Sequence, residues 1–149
     1  MAWADVLGHD VVKRLLQAHV RAGRVADAYL FAGPEGVGKR RVALEMAKAL
    51  NCTTEGERPC DVCRACTQIA RGTHPDVHCL VPGGVSEQIK MEDIRQLLGR
   101  LALRPFSATV QVAVIDGAER LTEEAANSLL KTLEEPSART KFLLMTAQL

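Results

Sequence analysis

The sequence predicts an α/β fold, a parallel sheet with helices on both faces. Three observations predict it. Short apolar runs and helix-period segments alternate four times along the 149 residues. One run, VQVAVID (110–116), is rich in β-branched residues and uninterrupted, as suits a strand covered on both faces. A glycine-rich turn, within FAGPEGVGKRRV (31–42), joins a strand directly to a helix.

The elements follow in order. DVVKRLLQAHVRA (10–22) places Val11, Val12, Leu15, Leu16 and Val20 on one helical stripe. AYLFAG (28–33) reads as a buried strand ending in Gly33, and GKRRVALEMAKALN (38–51) is a helix of good helix formers. Residues 52–76 change character, with Cys, Gly, Pro, Thr and charges and only a brief turn around DVCRACTQIAR, so they are predicted as an insertion. DVHCLVP (76–82) is a second strand, stopped by Pro82, Gly83 and Gly84. A helix follows at 91–103, with Ile94, Leu97, Leu98 and Leu101 on one face. TEEAANSLLKTLEEP (122–136) has Thr122 as N-cap, an acidic first turn and Pro136 as its stop. KFLLMT (141–146) is the fourth strand. The chain ends soon after it without a covering helix, which reads as the N-terminal part of a longer subunit with one domain over 1–149.

Composition narrows the function. A chain that is 47% hydrophobic and 25% charged suits one soluble domain with a real core. A net charge of +1 gives no general electrostatic grip on nucleic acid. The aromatics Trp3, Tyr29, Phe31, Phe106 and Phe142 are too few to tile a base-stacking surface. No apolar run approaches the ~20 residues of a membrane span, and no signal-peptide pattern opens the chain. The expected location is cytoplasmic, with no membrane partner. Lys39-Arg40-Arg41 and the series Arg95, Arg100 and Arg104 are local basic clusters, read first as solvated faces.

Gly33, Pro34, Gly36, Val37, Gly38 and Lys39 fit the phosphate-binding loop G-x-x-x-x-G-K-[ST] up to its last position. There the glycines let backbone N–H groups converge on phosphate oxygens, and the lysine reaches the β/γ-phosphates. Arg40 then occupies the place of the hydroxyl that would ligate Mg²⁺. A guanidinium is a fixed cation with no lone pair for a metal. Arg40 could turn outward onto a phosphate or simply point to solvent. The strand VAVID ends in Asp116, the expected Mg²⁺ carboxylate, but Gly117 stands where a water-aligning glutamate belongs. Glu119, two residues on, is not expected to replace it. Both losses argue that hydrolysis is gone, while binding of ATP or ADP without turnover stays open.

Cys52, Cys60, Cys63 and Cys66 form C-x7-C-x2-C-x2-C, enough thiolates for a closed tetrahedral structural Zn²⁺ site over 52–66. Cysteines in a cytosolic chain favour metal or buried thiols over disulfides. With that shell complete, His74 and His78 are read as ordinary, and Cys79 as an inert thiol inside an apolar strand.

These stretches, in this order, resemble bacterial clamp-loader subunits, the AAA+ P-loop proteins of the DNA polymerase III holoenzyme. The resemblance rests on HDVVKRLL, AYLFAGPEGVGK, the four cysteines, HPDVHCLVP, IRQLLGRLALRPF, VAVIDGAERL and NSLLKTLEEP with KFLL, and covers nearly the whole chain. Within the family the motor subunits, gamma/tau, look like GVGKT followed by IDEVH. Arg40, Gly117 and HPDVH depart toward the delta-prime type, a non-hydrolysing partner. The resemblance implies gamma/tau and delta subunits as neighbours in a hetero-pentamer that loads the sliding clamp onto primed DNA. It also implies a fifth strand, lid and collar beyond residue 149, and an arginine in a Ser-Arg-Cys motif that this chain does not contain. The family's polar sensor position falls on Thr146 or Ala147. Two other readings are a gamma/tau-like ATPase with altered motifs and a zinc-dependent nucleic-acid-binding module with a vestigial P-loop.

Overall fold

The computed structural model describes residues 10–23, 25–33, 39–53, 56, 58–103, 110–135 and 139–147, and the side chains among them from residue 14 onward. They form α1 (Asp10–Ala22), β1 (Ala28–Ala32), α2 (Lys39–Asn51), α3 (Arg64–Arg71) and β2 (Val77–Leu80). Then come α4 (Met91–Leu101), β3 (Gln111–Asp116), a 3-10 turn (Ala118–Arg120), α5 (Glu123–Glu134) and β4 (Thr140–Thr146). The four strands pair in parallel in the order β1-β4-β3-β2. The strand latest in sequence therefore lies between β1 and β3.

The period-2 alternation of the strands sorts the core into two layers. Val112 and Val114 of β3 and Leu143 and Met145 of β4 face one side. They pack there against Leu16 of α1, Val42 and Met46 of α2, and Ile69 of α3. Ala113, Ile115 and Phe142 face the other side, against Ile94 and Leu97 of α4 and Ala125 and Leu129 of α5. Residues 111–115 of β3 are all buried, as its apolar run predicts. The face of α4 and the start of α5 also match the sequence: the Thr122 hydroxyl accepts the Ala125 N–H at 3.2 Å.

Four local expectations change. Leu15 is exposed, off the stripe on which Leu16 and Val20 pack. Strand β1 is not buried: it lies at one edge, and Leu30 faces outward. Strand β2 lies at the other edge, so Cys79 is exposed rather than an interior thiol. The brief turn in the insertion is a real helix, α3. Its Cys63 N-cap accepts the Cys66 N–H, and Gly72 ends it at φ +73°. There Gly72 N–H donates to Ile69 O and Thr73 N–H to Gln68 O, satisfying the last carbonyls in a left-handed cap.

Candidate functional site: a phosphate-type cleft and a cysteine cluster

The carboxyl ends of parallel strands are where open α/β sheets place ligands. Here they frame a cleft of roughly 540 Å³, lined by Lys39 and Arg40 from α2, Asp116 at the end of β3, Gly117 just after it, and Glu119 and Ala147. Val81 and Pro82, beyond β2, form its apolar wall. Gly33 directly follows β1 and Lys39 opens α2, as the motif requires; Pro34, Gly36, Val37 and Gly38 lie outside the described residues.

Lys39 Nζ donates to Gly33 O and, at 2.8 Å, to Thr146 O. Gly33 N–H also donates to Thr146 O at 3.1 Å. The lysine thus ties the ends of β1 and β4 together through neutral carbonyls. Among the described residues no carboxylate stands within ion-pair distance of it.

Arg40 reaches toward the end of β3 while its side chain stays more than half exposed. Its Nη1 lies 3.7 Å from Asp116 Oδ2, with the two side chains 55% and 36% exposed. Its Nη2 lies 3.9 Å from Cys79 Sγ. The guanidinium therefore stands against the carboxylate that a Mg²⁺ ion would need. Mg²⁺ demands oxygen ligands in near-octahedral array, and a fixed cation in contact with its carboxylate does not fit that demand.

Gly117 is fixed by geometry as well as by sequence. Its φ is +96°, a region L side chains rarely adopt, and a Cβ there would meet Pro82 Cγ at 3.0 Å. Glu119 is already engaged: its Oε1 accepts the Ala147 N–H at 3.1 Å. Burial works against its charge, but the N–H groups of Glu119 and Ala147, the Thr146 side chain and nearby Arg120 together hold its carboxyl below the usual range. It caps the end of β4 rather than standing free to activate water. No sequence pattern marked this contact, because it joins the 3-10 turn to a position 28 residues away.

The second cluster sits at the opposite end of α2. The sulfurs of Cys52, Cys60, Cys63 and Cys66 all lie within 4.8 Å of one another, and Cys63 Sγ is 4.0 Å from Cys52 Sγ. A tetrahedral ion with bonds of about 2.3 Å needs sulfurs about 3.8 Å apart, so the set fits a metal. The sulfurs also collect donors: Cys60 Sγ accepts from the N–H groups of Val62 at 3.4 Å and Cys63 at 3.2 Å. Burial opposes ionisation of Cys63, but backbone N–H donors from Cys66 and Thr53 bring its thiol below the ordinary range. Burial pushes the Cys66 thiol up. The two histidines near β2 are used elsewhere: His74 Nδ1 accepts the Asp76 N–H at 3.0 Å, and His78 Nε2 lies 2.9 Å from Gln111 Oε1.

Comparison with known proteins decides the family. Residues 8–149 match the family described as DNA polymerase III, delta subunit. This chain belongs to the DNA polymerase III clamp-loader family. DNA polymerase III subunits of two kinds are similar to it. The DNA polymerase III subunit tau of Salmonella typhimurium is 41% identical, over 97% of this chain and 22% of the relative. The subunit delta' of Bacillus subtilis is 39% identical, over 92% of this chain and 41% of the relative. The chain thus spans less than half the length of either. Among solved structures, a gamma subunit-related protein of Thermotoga maritima superposes with a TM-score of 0.66 at 25% identity, over 89% of this chain and 39% of that one. The clamp-loader fold, an AAA+ P-loop sheet, is therefore present. Among the described residues no helix is long and apolar enough to cross a membrane.

Proposed function

We propose that this chain is the AAA+ region, over 1–149, of a delta-prime-type subunit, a non-hydrolysing member of the clamp loader of DNA polymerase III. Overall identity does not separate the two candidate types, since tau and delta' relatives match almost equally, at 41% and 39%. The site does. The observation that carries the reading is the Arg40–Asp116 pair, which sets a guanidinium where phosphoryl transfer requires Mg²⁺. Gly117, held at positive φ against Pro82, removes the group that would align water. In this reading the subunit serves in the assembly beside gamma/tau and delta neighbours, in a cytoplasmic pentamer that loads the sliding clamp onto primed DNA. The loop 33–40 with Asp116 is the degenerate nucleotide site, and Cys52, Cys60, Cys63 and Cys66 hold structural Zn²⁺ in the insertion 52–66.

The test is ATP turnover by the full-length subunit, alone and mixed with its gamma/tau and delta partners in which the gamma/tau P-loop lysine has been replaced. No multiple turnover is expected in either case. Sustained hydrolysis by the subunit itself would return it to the gamma/tau-like ATPases.

A further inference from the structure

We propose that the cleft binds the phosphate tail of a nucleoside di- or triphosphate without a divalent cation, with Arg40 as the built-in counter-charge. The inference rests on the non-hydrolysing reading and deepens it. In an ordinary P-loop site the metal bridges protein and phosphate: on one side it meets an acidic carboxylate, on the other the β- and γ-oxygens. Here Arg40 already makes the first of those contacts, through Nη1 to Asp116 Oδ2 at 3.7 Å. A guanidinium carries five N–H donors in a flat fork, so an edge turned to a carboxylate leaves others to meet a phosphate bidentately. Its side chain is more than half exposed and lines the cleft.

Lys39 supplies the second charge. Its ammonium is held by two carbonyls, Gly33 O and Thr146 O, which position it without neutralising it. The acids around the cleft are offset differently. Asp116 faces Arg40, and Glu119 receives the Ala147 N–H and lies near Arg120. The remaining acid, Glu87, lines the cleft with Val81 and Pro82, on the segment beyond β2. Two cations from adjacent positions at the start of α2 thus face one cavity large enough for a phosphate tail, and one of them takes the place of the metal.

A consequence sets this site apart from a working ATPase. Added Mg²⁺ neutralises the tail of the nucleotide and must approach a fixed cation, so it weakens binding instead of enabling it. The experiment is calorimetric titration of the full-length subunit with ATP in EDTA, with ATP plus excess Mg²⁺, and with tripolyphosphate in EDTA. ATP in EDTA is expected to bind several-fold more tightly than MgATP. Tripolyphosphate is expected to retain binding, which assigns the recognition to the tail. Arg40→Thr is expected to weaken metal-free binding about tenfold or more, the range for hydrogen bonds to charged groups. Its unchanged unfolding midpoint without nucleotide would show that the fold is intact.

Binding only with Mg²⁺, no binding of ATP in either buffer, binding of ATP but not tripolyphosphate, or an Arg40→Thr variant of undiminished metal-free affinity would each overturn the proposal. Each of those outcomes leaves the turnover assay untouched. Conversely, sustained hydrolysis would remove the non-hydrolysing reading whatever the titrations gave.

Discussion

Lys48 on α2 and Asp61 in the cysteine loop lie 3.2 Å apart, and the same ammonium is 3.1 Å from Glu45. The lysine side chain is only 11% exposed. Burial works against its charge, but the hydrogen bonds and charges of Glu45 and Asp61 outweigh burial and hold the ammonium above the usual lysine range. Asp61 sits between Cys60 and Cys63 at φ +66°, a conformation that few residues with a Cβ adopt. The ion pair therefore clips the cysteine loop to the helix that opens with Lys39.

Replacing Lys48 by methionine keeps most of its length and removes the clip. The charge-assisted contacts of the ammonium with Glu45 and Asp61 are then lost, which should cost about 2 kcal/mol. Residues that orient metal ligands also affect retention, typically by 10–100-fold in affinity. Lys48→Met is expected to lower stability to urea and to release metal to a chelator at least about tenfold faster. Lys48→Arg should recover most of both.

Cys63 is the cysteine whose change should be most damaging. It caps α3, lies 4.0 Å from Cys52, and donates its N–H to Cys60 Sγ. Cys63→Ser keeps a capping oxygen but breaks the four-sulfur set. Structural metal binding energy is folding energy, and loss of such a site ranks among the largest single-residue effects, about 4 kcal/mol or more. The expected result is loss of bound zinc by elemental analysis and a lower melting temperature. Wild type treated with chelator should melt like the variant.

Arg40→Thr alone should not yield an ATPase, and the double change Arg40→Thr, Gly117→Glu should fare worse still. A glutamate at 117 needs a left-handed backbone and must displace Pro82, whose Cγ lies 3.0 Å from the position of its Cβ. Strain of that kind costs about 1–3 kcal/mol. The double variant is expected to unfold at lower denaturant and to show no multiple turnover in a phosphate-release assay. Recovery would require rebuilding the Pro82 segment as well.

The balance between what the sequence disclosed and what it concealed has a physical basis. Local codes read well. The stripe of α4, the Thr122 cap, the burial of β3 and the cysteine spacing each depend on neighbours within one or two turns. Strand order does not. AYLFA and VHCL look as apolar as VQVAVID, yet only the strand order sends β1 and β2 to the edges and turns Leu30 and Cys79 outward. Helix α3 is hard to read because its eight residues are too few for a helical period to stand out, and its bounds are set by the caps at Cys63 and Gly72. In the site, the identities of Arg40 and Gly117 were informative, but their contacts were not. Asp116 meets Arg40 only once α2 packs against the sheet, and Pro82 meets Gly117 only once β2 and β3 lie side by side.

His74 gives the fold a pH dependence whose sign follows from its surroundings. The ring is buried, and burial lowers its pKa from the ordinary 6.5; His78 adds to the shift and Asp76 opposes it. Its Nδ1 accepts the Asp76 N–H at 3.0 Å, which only the neutral ring can do. In the folded state the ring therefore protonates at lower pH than in the unfolded chain. Between those two values the unfolded chain binds more protons, so stability rises with pH. The contribution is complete above about pH 6.5 and is lost as pH falls below it. Glu119, also depressed, acts in a lower, carboxylate window. His74→Asn keeps an acceptor for a backbone N–H two residues on, a contact asparagine makes readily, but cannot titrate. Urea unfolding at about pH 7.5 and about pH 5.5 should show wild type losing stability across that interval. The asparagine variant should lose measurably less. Equal losses in the two proteins would place the acid sensitivity in another group, such as the cysteine cluster.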